Sequence, residues 1–213
     1  MFLTRRSCGT LRRDAARASQ LVVSVQQPIA MHMEIRQATQ SDFQGISDLA
    51  MSAFGISEGP AIVQLIGDLS ADVTAQPVLS LVAATNGSIV GHVLFSKVRL
   101  KPPSQNLSAA ILAPLAVHPD FQSRGIGGQL ISEGLRQLSG SGVGLVFVLG
   151  HPGYYPRFGF SPAGIKGFQA PYPIAPKNAD AWMVLELRPG IIGNTSGQVI
   201  CADALADPRY WRE

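Results

Sequence analysis

The sequence predicts a single domain that combines helices with a sheet, of the α/β or α+β class. Short apolar runs of strand length alternate with stretches whose apolar residues recur every three or four positions, as on one face of a helix. An Asn-Gly pair between two strand-like runs adds a hairpin, and with it an antiparallel strand pair. With 213 residues, 46% of them hydrophobic, the chain is long enough to bury one substantial core.

The first half of the domain is predicted to hold a strand, two helices and a hairpin. In chain order these are strand 33–38, a helix from residue 43, a helix over 58–69, and strands 77–84 and 88–98. Residues 39–42, Thr-Gln-Ser-Asp, offer side-chain caps for the first helix. The apolar face of that helix is formed by Phe43, Ile46, Leu49, Ala50 and Phe54. Asn86 and Gly87 join the last two strands and favour a type I′ turn.

The second half is predicted to hold four strands and one helix. In chain order these are strand 109–117, helix 128–139, and strands 143–149, 181–187 and 198–201. Strand 143–149 is rich in β-branched and aromatic residues, as buried strands are. The apolar face of the helix is formed by Leu130, Ile131, Leu135 and Leu138. The Pro- and Gly-rich stretch up to residue 178 is predicted as a loop with at most one short strand.

Composition excludes several classes of function. The net charge is +3, but the first thirty residues hold five arginines and one aspartate, so the remainder carries −1 and offers no basic surface for nucleic acid. No apolar run reaches the roughly 18 residues that span a bilayer, so no membrane partner is expected. Cys8, Cys201 and the four histidines show no metal-ligand or disulfide spacing. Metal dependence is therefore not predicted, and the reducing cytoplasm is the expected location.

Residues 1–32 are predicted to form a leader outside the folded domain, which is assigned to residues 33–213. This segment contains several arginines, few acidic residues and no strand pattern before residue 21. A targeting peptide has this composition. So does a disordered tail, or upstream sequence translated from a start codon ahead of Met31 and Met33, and these two interpretations are favoured.

The segment from Leu115 to Gly128, Leu-Ala-Val-His-Pro-Asp-Phe-Gln-Ser-Arg-Gly-Ile-Gly-Gly, joins a predicted strand to a predicted helix. A glycine-rich loop before a helix is a ready anion site, because unpaired backbone N–H groups and the positive end of the helix dipole converge there. A mononucleotide P-loop needs a lysine where Gln129 stands, and a dinucleotide loop needs a third glycine where Leu130 stands. The pattern that remains is Gln-x-x-Gly-x-Gly. It is either an anion-binding loop or a plain strand–turn–helix link.

A second motif follows the strand predicted at 143–149. Residues 150–160 read Gly-His-Pro-Gly-Tyr-Tyr-Pro-Arg-Phe-Gly-Phe, with Tyr-x-x-x-Gly-Phe running from Tyr155 to Phe160. Together with Gln-x-x-Gly-x-Gly, this element resembles the GNAT superfamily of acetyl-CoA-dependent N-acetyltransferases, and in particular a bacterial branch of small stand-alone predicted acetyltransferases. The resemblance covers residues 33–187. It implies a mixed, mostly antiparallel sheet flanked by helices, with a splayed central strand pair.

The resemblance also implies which residues bind the donor, acetyl-CoA. The backbone of Leu115 and Val117 would pair with the pantetheine arm, and N–H groups of the glycine loop would hold the pyrophosphate. The implied donor-binding residues are Leu115, Ala116, Val117, Gln122, Ser123, Arg124, Gly125, Ile126, Gly127 and Gly128. Gly125 and Gly127 matter most, since a Cβ there would crowd the phosphate or forbid the required φ. Gln122 and Arg124 have an alternative interpretation as ordinary exposed loop residues.

Catalysis, as the resemblance implies it, is direct attack of an amine on the thioester. The N–H of Leu115 would polarise the thioester oxygen, and Tyr155 would protonate the leaving thiolate, with Tyr154 as its competitor. Strand 109–117 holds no acidic residue, so a general base is not assigned. The alternatives for the base are ordered water, Glu58, His118 and His151.

The acceptor is predicted only as a primary amine of a small molecule or a peptide. The segments that would select it vary freely within the superfamily. The sequence leaves the oligomeric state open, a homodimer included. A non-catalytic acyl-CoA-binding or regulatory module is the alternative function.

Overall fold

The computed structural model describes residues 33–104 and 107–211. The leader predicted for residues 1–32 therefore lies outside the described residues. The strands are β1 (Met33–Gln37), β2 (Leu79–Thr85), β3 (Ser88–Lys101), β4 (Ala109–Val117), β5 (Leu145–Leu149), β6 (Ser161–Pro162), β7 (Phe168–Gln169), β8 (Trp182–Glu186) and β9 (Gly197–Ile200). The helices are α1 (Phe43–Ala71) and α2 (Ile126–Gly140), and short 3₁₀ turns occur in several connections.

Most of the strands follow one path, in the order β1-β2-β3-β4-β5-β8-β6. β4 and β5 are parallel, and the other neighbours on this path are antiparallel. β9 pairs with residues 99–101 at the far end of β3 and runs parallel to β7. In the β2–β3 turn, Asn86 and Gly87 have φ of 49° and 79°, both positive as a type I′ turn requires. The predicted mixed, mostly antiparallel sheet is confirmed.

Helix α1 is bent back on itself at Gly55, where φ of 71° and ψ of −176° break the helical path. The two arms lie side by side. A Cβ built on Gly59 would be 2.9 Å from the sulfur of Met51, and one built on Gly67 would be 3.8 Å from the ring of Phe43. The two separate helices predicted from the sequence are therefore the two arms of α1.

By length and composition alone, residues 40–71 form a helical stretch that could cross a membrane. The bend at Gly55 leaves one arm of about 18 Å and one of about 24 Å, both shorter than the roughly 30 Å hydrocarbon layer. The arms pack on the sheet through Ile46, Ala50, Leu65, Ile66 and Leu69.

Each face of the sheet has its own core. On the α1 side, Phe147 of β5 and Trp182 of β8 stack with their ring centroids 5.3 Å apart. The C-terminal segment closes this core, with Trp211 edge-on to Trp182 at 5.8 Å. On the α2 side, the helix approaches β3 so closely that a Cβ built on Gly134 would overlap the ring of Phe95. Helix and sheet therefore lie close together where β3 pairs with the middle of β4.

Several predicted strand ends differ from the structure by one to three residues. Two further differences concern the start of α2 and the stretch after Phe160. Helix α2 begins at Ile126, two residues earlier than predicted, because Gly125 adopts a left-handed conformation (φ 81°) and caps the helix. The stretch after Phe160 holds two short strands, β6 and β7, where at most one was predicted. Their partners are β8 and β9, which are distant in sequence, so no local pattern announces the pairing.

β4 leaves its parallel partner halfway along. It pairs with β5 only over residues 109–112. A β-bulge follows, in which Ala113 and Pro114 lie opposite the single residue Leu94 of β3. A bulge is one of the few places in a sheet where proline is tolerated, since it has no N–H to donate to the ladder. Beyond the bulge β4 follows β3 alone, and a wedge opens between residues 113–117 and the end of β5.

Candidate active site

A cleft of about 930 Å³ lies in the wedge between β4 and β5. We call it the donor cleft. Its walls are the end of β4, the loop and first turn of α2, and the turn after β5. The lining residues are Leu115, Val117, Phe121, Gln122, Ser123, Gly125, Ile126, Gly127, Gly128, Gly150, His151, Tyr154, Tyr155, Arg157 and Phe158. None of these residues carries a carboxylate, so the donor cleft suits an anionic ligand.

The edge of β4 faces the donor cleft with its backbone. His118 N donates to Val90 O at 2.9 Å, which marks these two residues as a hydrogen-bonded pair of the antiparallel ladder. Such pairs alternate with non-hydrogen-bonded pairs, and Leu115 and Val117 fall at the latter positions. Their N–H and C=O groups therefore point away from β3 and toward the wedge. An extended ligand could pair with this edge as an added strand.

The loop before α2 brings a helix N-terminus to the same cleft. Ser123 and Gly125 have φ of 60° and 81°, so the chain turns sharply through left-handed conformations. The first hydrogen bond of the helix is donated by Gln129 N to Gly125 O at 3.0 Å. The amides of residues 126–128 come before Gln129 in the chain. They have no acceptor within the helix, so they present N–H groups at the positive end of the helix dipole. The arrangement forms an anion site.

Two glycines in the first turn of α2 let the turn after β5 come close. A Cβ built on Gly127 would lie 2.6 Å from the hydroxyl oxygen of Tyr154, and one built on Gly128 would lie 3.3 Å from the ring of Phe158. The role predicted for Gly127 was to leave room for a phosphate. In the structure the same room also admits the hydroxyl of Tyr154, which therefore lies beside the anion site.

The turn after β5 is a 3₁₀ helix from Tyr155 to Phe158, and it ends at Gly159 in a left-handed conformation (φ 90°). Tyr155 is 9% exposed and packs edge-on to Phe160 with ring centroids 5.8 Å apart. Tyr154 is half-buried, with its ring edge-on to that of Tyr155 at 5.2 Å. Burial raises the pKa of Tyr154, and the positive charge of Arg157 partly opposes this rise. Both phenols line the donor cleft, Tyr155 more deeply buried than Tyr154.

The predicted donor-binding residues all line the donor cleft except Ala116 and Arg124. Ala116 follows Leu115 on the strand, so its side chain lies on the opposite face of the sheet. The guanidinium of Arg124 lies over the ring of Phe121, 5.1 Å from its centroid. The Gln122 side chain donates from Nε2 to the carbonyl oxygen of Val117 at 3.2 Å, which holds the loop against the strand.

Arg157, Phe121 and His151 also line the donor cleft, and sequence reasoning gave Arg157 no role. The signal for Arg157 was present in Tyr-Tyr-Pro-Arg. Proline in a short turn favours 3₁₀ geometry, in which residues three apart lie over one another. That spacing places Arg157 over Tyr154.

The candidate bases are separated by the fold. His151 lines the donor cleft, and its Nδ1 accepts from Gly153 N at 3.0 Å. His118 lines a second cleft on the α1 side, and its Nδ1 accepts from Asp120 N at 3.3 Å. Glu58 is exposed in the second arm of α1. Within residues 33–104 and 107–211, no three His, Cys, Asp or Glu residues cluster as metal ligands do.

The wedge of the mixed sheet brings a strand edge next to an anion site that suits a phosphate. This combination indicates an acyltransferase that binds acyl-CoA. Residues 34–163 match the acetyltransferase (GNAT) domain, and the chain belongs to this family. It is 41% identical to the uncharacterized N-acetyltransferase YjhQ of Escherichia coli K12 over 173 residues, which cover 81% of this chain and 93% of YjhQ. The predicted family, fold and enzyme class are confirmed.

Two solved structures are also similar. YhbS of Escherichia coli, in complex with CoA, is 30% identical with a TM-score of 0.74, and the match covers 84% of this chain and 94% of YhbS. A GNAT family acetyltransferase of Brucella melitensis, in complex with acetyl-CoA, is 31% identical with a TM-score of 0.64, and the match covers 82% and 98% of the two chains. The fold is therefore one on which related proteins bind CoA.

Proposed function

We propose that this protein transfers the acetyl group of acetyl-CoA to a primary amine of a small molecule or a peptide, in the cytoplasm. The observation that carries the proposal is the donor cleft, where an unpaired strand edge, a helix N-terminus and two tyrosines meet. The similar proteins that were crystallised with CoA or acetyl-CoA support the choice of donor.

The donor would lie along the cleft in two parts. The pantetheine arm has amide groups that can pair with the backbone groups of Leu115 and with the N–H of Val117, whose carbonyl already accepts from Gln122. The pyrophosphate would accept hydrogen bonds from the amides of residues 126–128 at the start of α2. Gly125 supports this loop through its positive φ, which other residues adopt only with strain. These two contacts would orient the thioester at the bulge of β4.

The chemistry would be direct attack of the amine nitrogen on the thioester carbonyl carbon. The C–N bond forms, the C–S bond breaks, and the sulfur leaves as a thiolate. Holding the two reactants together supplies much of the acceleration. The N–H of Leu115 would donate to the carbonyl oxygen as negative charge develops there.

Two protons must move during the reaction. The thiolate takes one, and we assign its donor to Tyr155, which lies at the matching position of the family motif and lines the donor cleft. A phenol is protonated at neutral pH and can act as an acid. The amine loses the other proton, and the group that takes it stays unassigned. His151 is the candidate base that lines the donor cleft.

A panel of amines and peptides tests the proposed activity. Thiol release from acetyl-CoA should rise with at least one amine, and mass spectrometry should find that amine heavier by one acetyl group. Tight binding of CoA without turnover on any amine would instead support the alternative, a non-catalytic acyl-CoA-binding module. The oligomeric state, a homodimer included, is measured on the same sample by light scattering.

Paired substitutions test the assignment of the acid. Tyr155→Phe should lower kcat by about 100-fold or more, as loss of a general acid does, while CoA still binds. Tyr154→Phe is the matched variant and should act on the KM for acetyl-CoA rather than on kcat. Melting temperatures show whether either variant is misfolded. A fall in kcat for Tyr154→Phe alone would transfer the acid role to Tyr154.

A further inference from the structure

We propose that Arg157, held over the ring of Tyr154, is the cation that binds the diphosphate of the donor. The inference rests on the proposed use of acetyl-CoA and adds a residue that lies outside the Gln-x-x-Gly-x-Gly loop. It also separates the two adjacent tyrosines by role. Tyr155 serves the reacting sulfur, and Tyr154 positions Arg157.

The local fold fixes the position of Arg157. In the 3₁₀ turn from Tyr155 to Phe158, residues three apart lie over one another. The guanidinium carbon of Arg157 accordingly lies 4.4 Å from the ring centroid of Tyr154, and its Nε donates to the Tyr154 carbonyl oxygen at 3.2 Å. A cation over an aromatic face is favourable, and the Nε bond fixes the plane of the guanidinium. These two contacts hold the side chain against Tyr154.

The turn is packed against the helix that forms the anion site. The Tyr154 hydroxyl lies beside Gly127, and the Phe158 ring lies against Gly128, both in the first turn of α2. Arg157 lies between these two aromatic residues in sequence and contacts both rings, at 4.4 and 5.8 Å. Arg157 and residues 126–128 therefore line the same cleft. Both groups favour a negatively charged ligand.

Within the described part of the chain, the charge of Arg157 is not neutralised by a carboxylate. Arg36, Arg136 and Arg209 each pair with a carboxylate. Among the described residues, no carboxylate forms an ion pair with Arg157, and none lines the donor cleft. Phosphates are the natural partner for such a group, because the planar guanidinium donates two parallel hydrogen bonds to their oxygens.

Arg124 is the competing cation, and its geometry differs. It belongs to the glycine loop, yet its guanidinium lies over Phe121 and does not line the donor cleft. Motif reasoning favours Arg124, whereas the geometry of the folded chain favours Arg157. The two arginines therefore offer a direct test.

The test is calorimetric binding of CoA, dephospho-CoA and phosphopantetheine to the full chain and its variants. Arg157→Gln should weaken CoA binding by about tenfold to 100-fold, as expected for a lost charge-assisted hydrogen bond. Dephospho-CoA, which keeps the diphosphate, should lose the same factor. Arg157→Lys keeps the charge without the planar fork and should fall between. The dependence of Kd on salt should become weaker in Arg157→Gln.

Arg209→Gln is the matched control, because Arg209 also lies over a tyrosine ring, at 5.1 Å from that of Tyr210, and does not line the donor cleft. It should leave Kd unchanged. Equal CoA affinity in Arg157→Gln and the unmodified chain, or a loss found only for Arg124→Gln, would overturn the proposal. A loss for CoA but not for dephospho-CoA would move the contact to the 3′-phosphate and overturn the diphosphate assignment. Failure of the unmodified chain to bind CoA would instead refute the proposed function.

Discussion

Two clefts of similar size open at the edge of the sheet where β4 ends, and they differ in charge. The donor cleft measures about 930 Å³ and the other about 710 Å³. The second, which we call the acidic cleft, lies between β1, the start of α1 and the β2–β3 turn, and is lined by Glu34, Arg36, Asp42 and Asp48 among others. Its one arginine is already paired, since both terminal nitrogens of Arg36 donate to Asp42, at 2.7 and 2.8 Å.

The comparison shows that volume does not identify a donor site. Hydrogen bonds from Arg36 hold the pKa of Asp42 well below its usual range, so this carboxylate stays charged at any physiological pH. An anionic ligand would meet the N–H groups at the start of α2 and an arginine without a carboxylate partner among the described residues in one cleft, and fixed negative charge in the other. Attraction in one cleft and repulsion in the other favour the donor cleft as the site of an anionic ligand.

The largest effect we expect is a pH dependence of stability that arises in the core on the α1 side. The α1 side carries His92, fully buried on the same face of β3 as Leu94, with Nε2 2.9 Å from the hydroxyl of Ser80. Burial lowers the pKa of His92 to about 4. The unfolded chain, with an ordinary histidine pKa near 6.5, binds this proton more readily. The contribution of neutral His92 to stability is therefore fully present above about pH 6.5. As the pH drops to 4, the free energy of unfolding should fall by about 3 kcal/mol.

Urea unfolding at a series of pH values checks this expectation. The matched variant His92→Gln cannot titrate, and it shares every other ionisable group with the unmodified chain. The free energy of unfolding of the unmodified chain should therefore fall, relative to that of His92→Gln, as the pH drops from 6.5 to 4. Parallel curves over this range would show that His92 does not titrate in the way its burial implies.

A smaller effect is expected from filling the donor cleft. Gly127→Leu would place a side chain against the Tyr154 hydroxyl and into the cleft. Overpacking of this kind costs about 1–3 kcal/mol, so CoA binding should weaken by about 10- to 100-fold. Titration calorimetry measures the Kd directly.

Ser88→Leu adds similar bulk to the acidic cleft and serves as its control. It should leave the Kd for CoA unchanged, with the melting temperature of each variant measured in parallel. If Ser88→Leu weakened binding and Gly127→Leu did not, the assignment of the two clefts would have to be exchanged.

The donor cleft was largely predictable because its parts are contiguous in sequence. Gln122, Gly125 and Gly127 lie in one loop, and Tyr155 begins the element after the next strand. Motifs of this kind can be recognised in the sequence, and the resemblance to the family then implied their roles. The motifs did not indicate which way the two arginine side chains point. The outward turn of Arg124 and the inward position of Arg157 depend on how two turns pack against each other.

The rest of the molecule is built from distant contacts. Asp72 ends α1 and accepts from the backbone N of Ala204, more than a hundred residues later, at 2.9 Å. Trp182 and Trp211 meet in the α1-side core. β6 and β7 exist only through their partners β8 and β9. No periodic pattern specifies such pairings, so these long-range contacts were not predicted from the sequence.

Backbone amide exchange, measured residue by residue with and without CoA, tests the central claim most directly. The amides of Leu115 and Val117 point into the wedge, and those of residues 126–128 lack helical acceptors, so all of them should exchange readily in the free protein. Saturating CoA should slow their exchange and leave residues 86–88 of the acidic cleft unchanged. Protection at residues 86–88, with none at Leu115, Val117 or 126–128, would contradict the account.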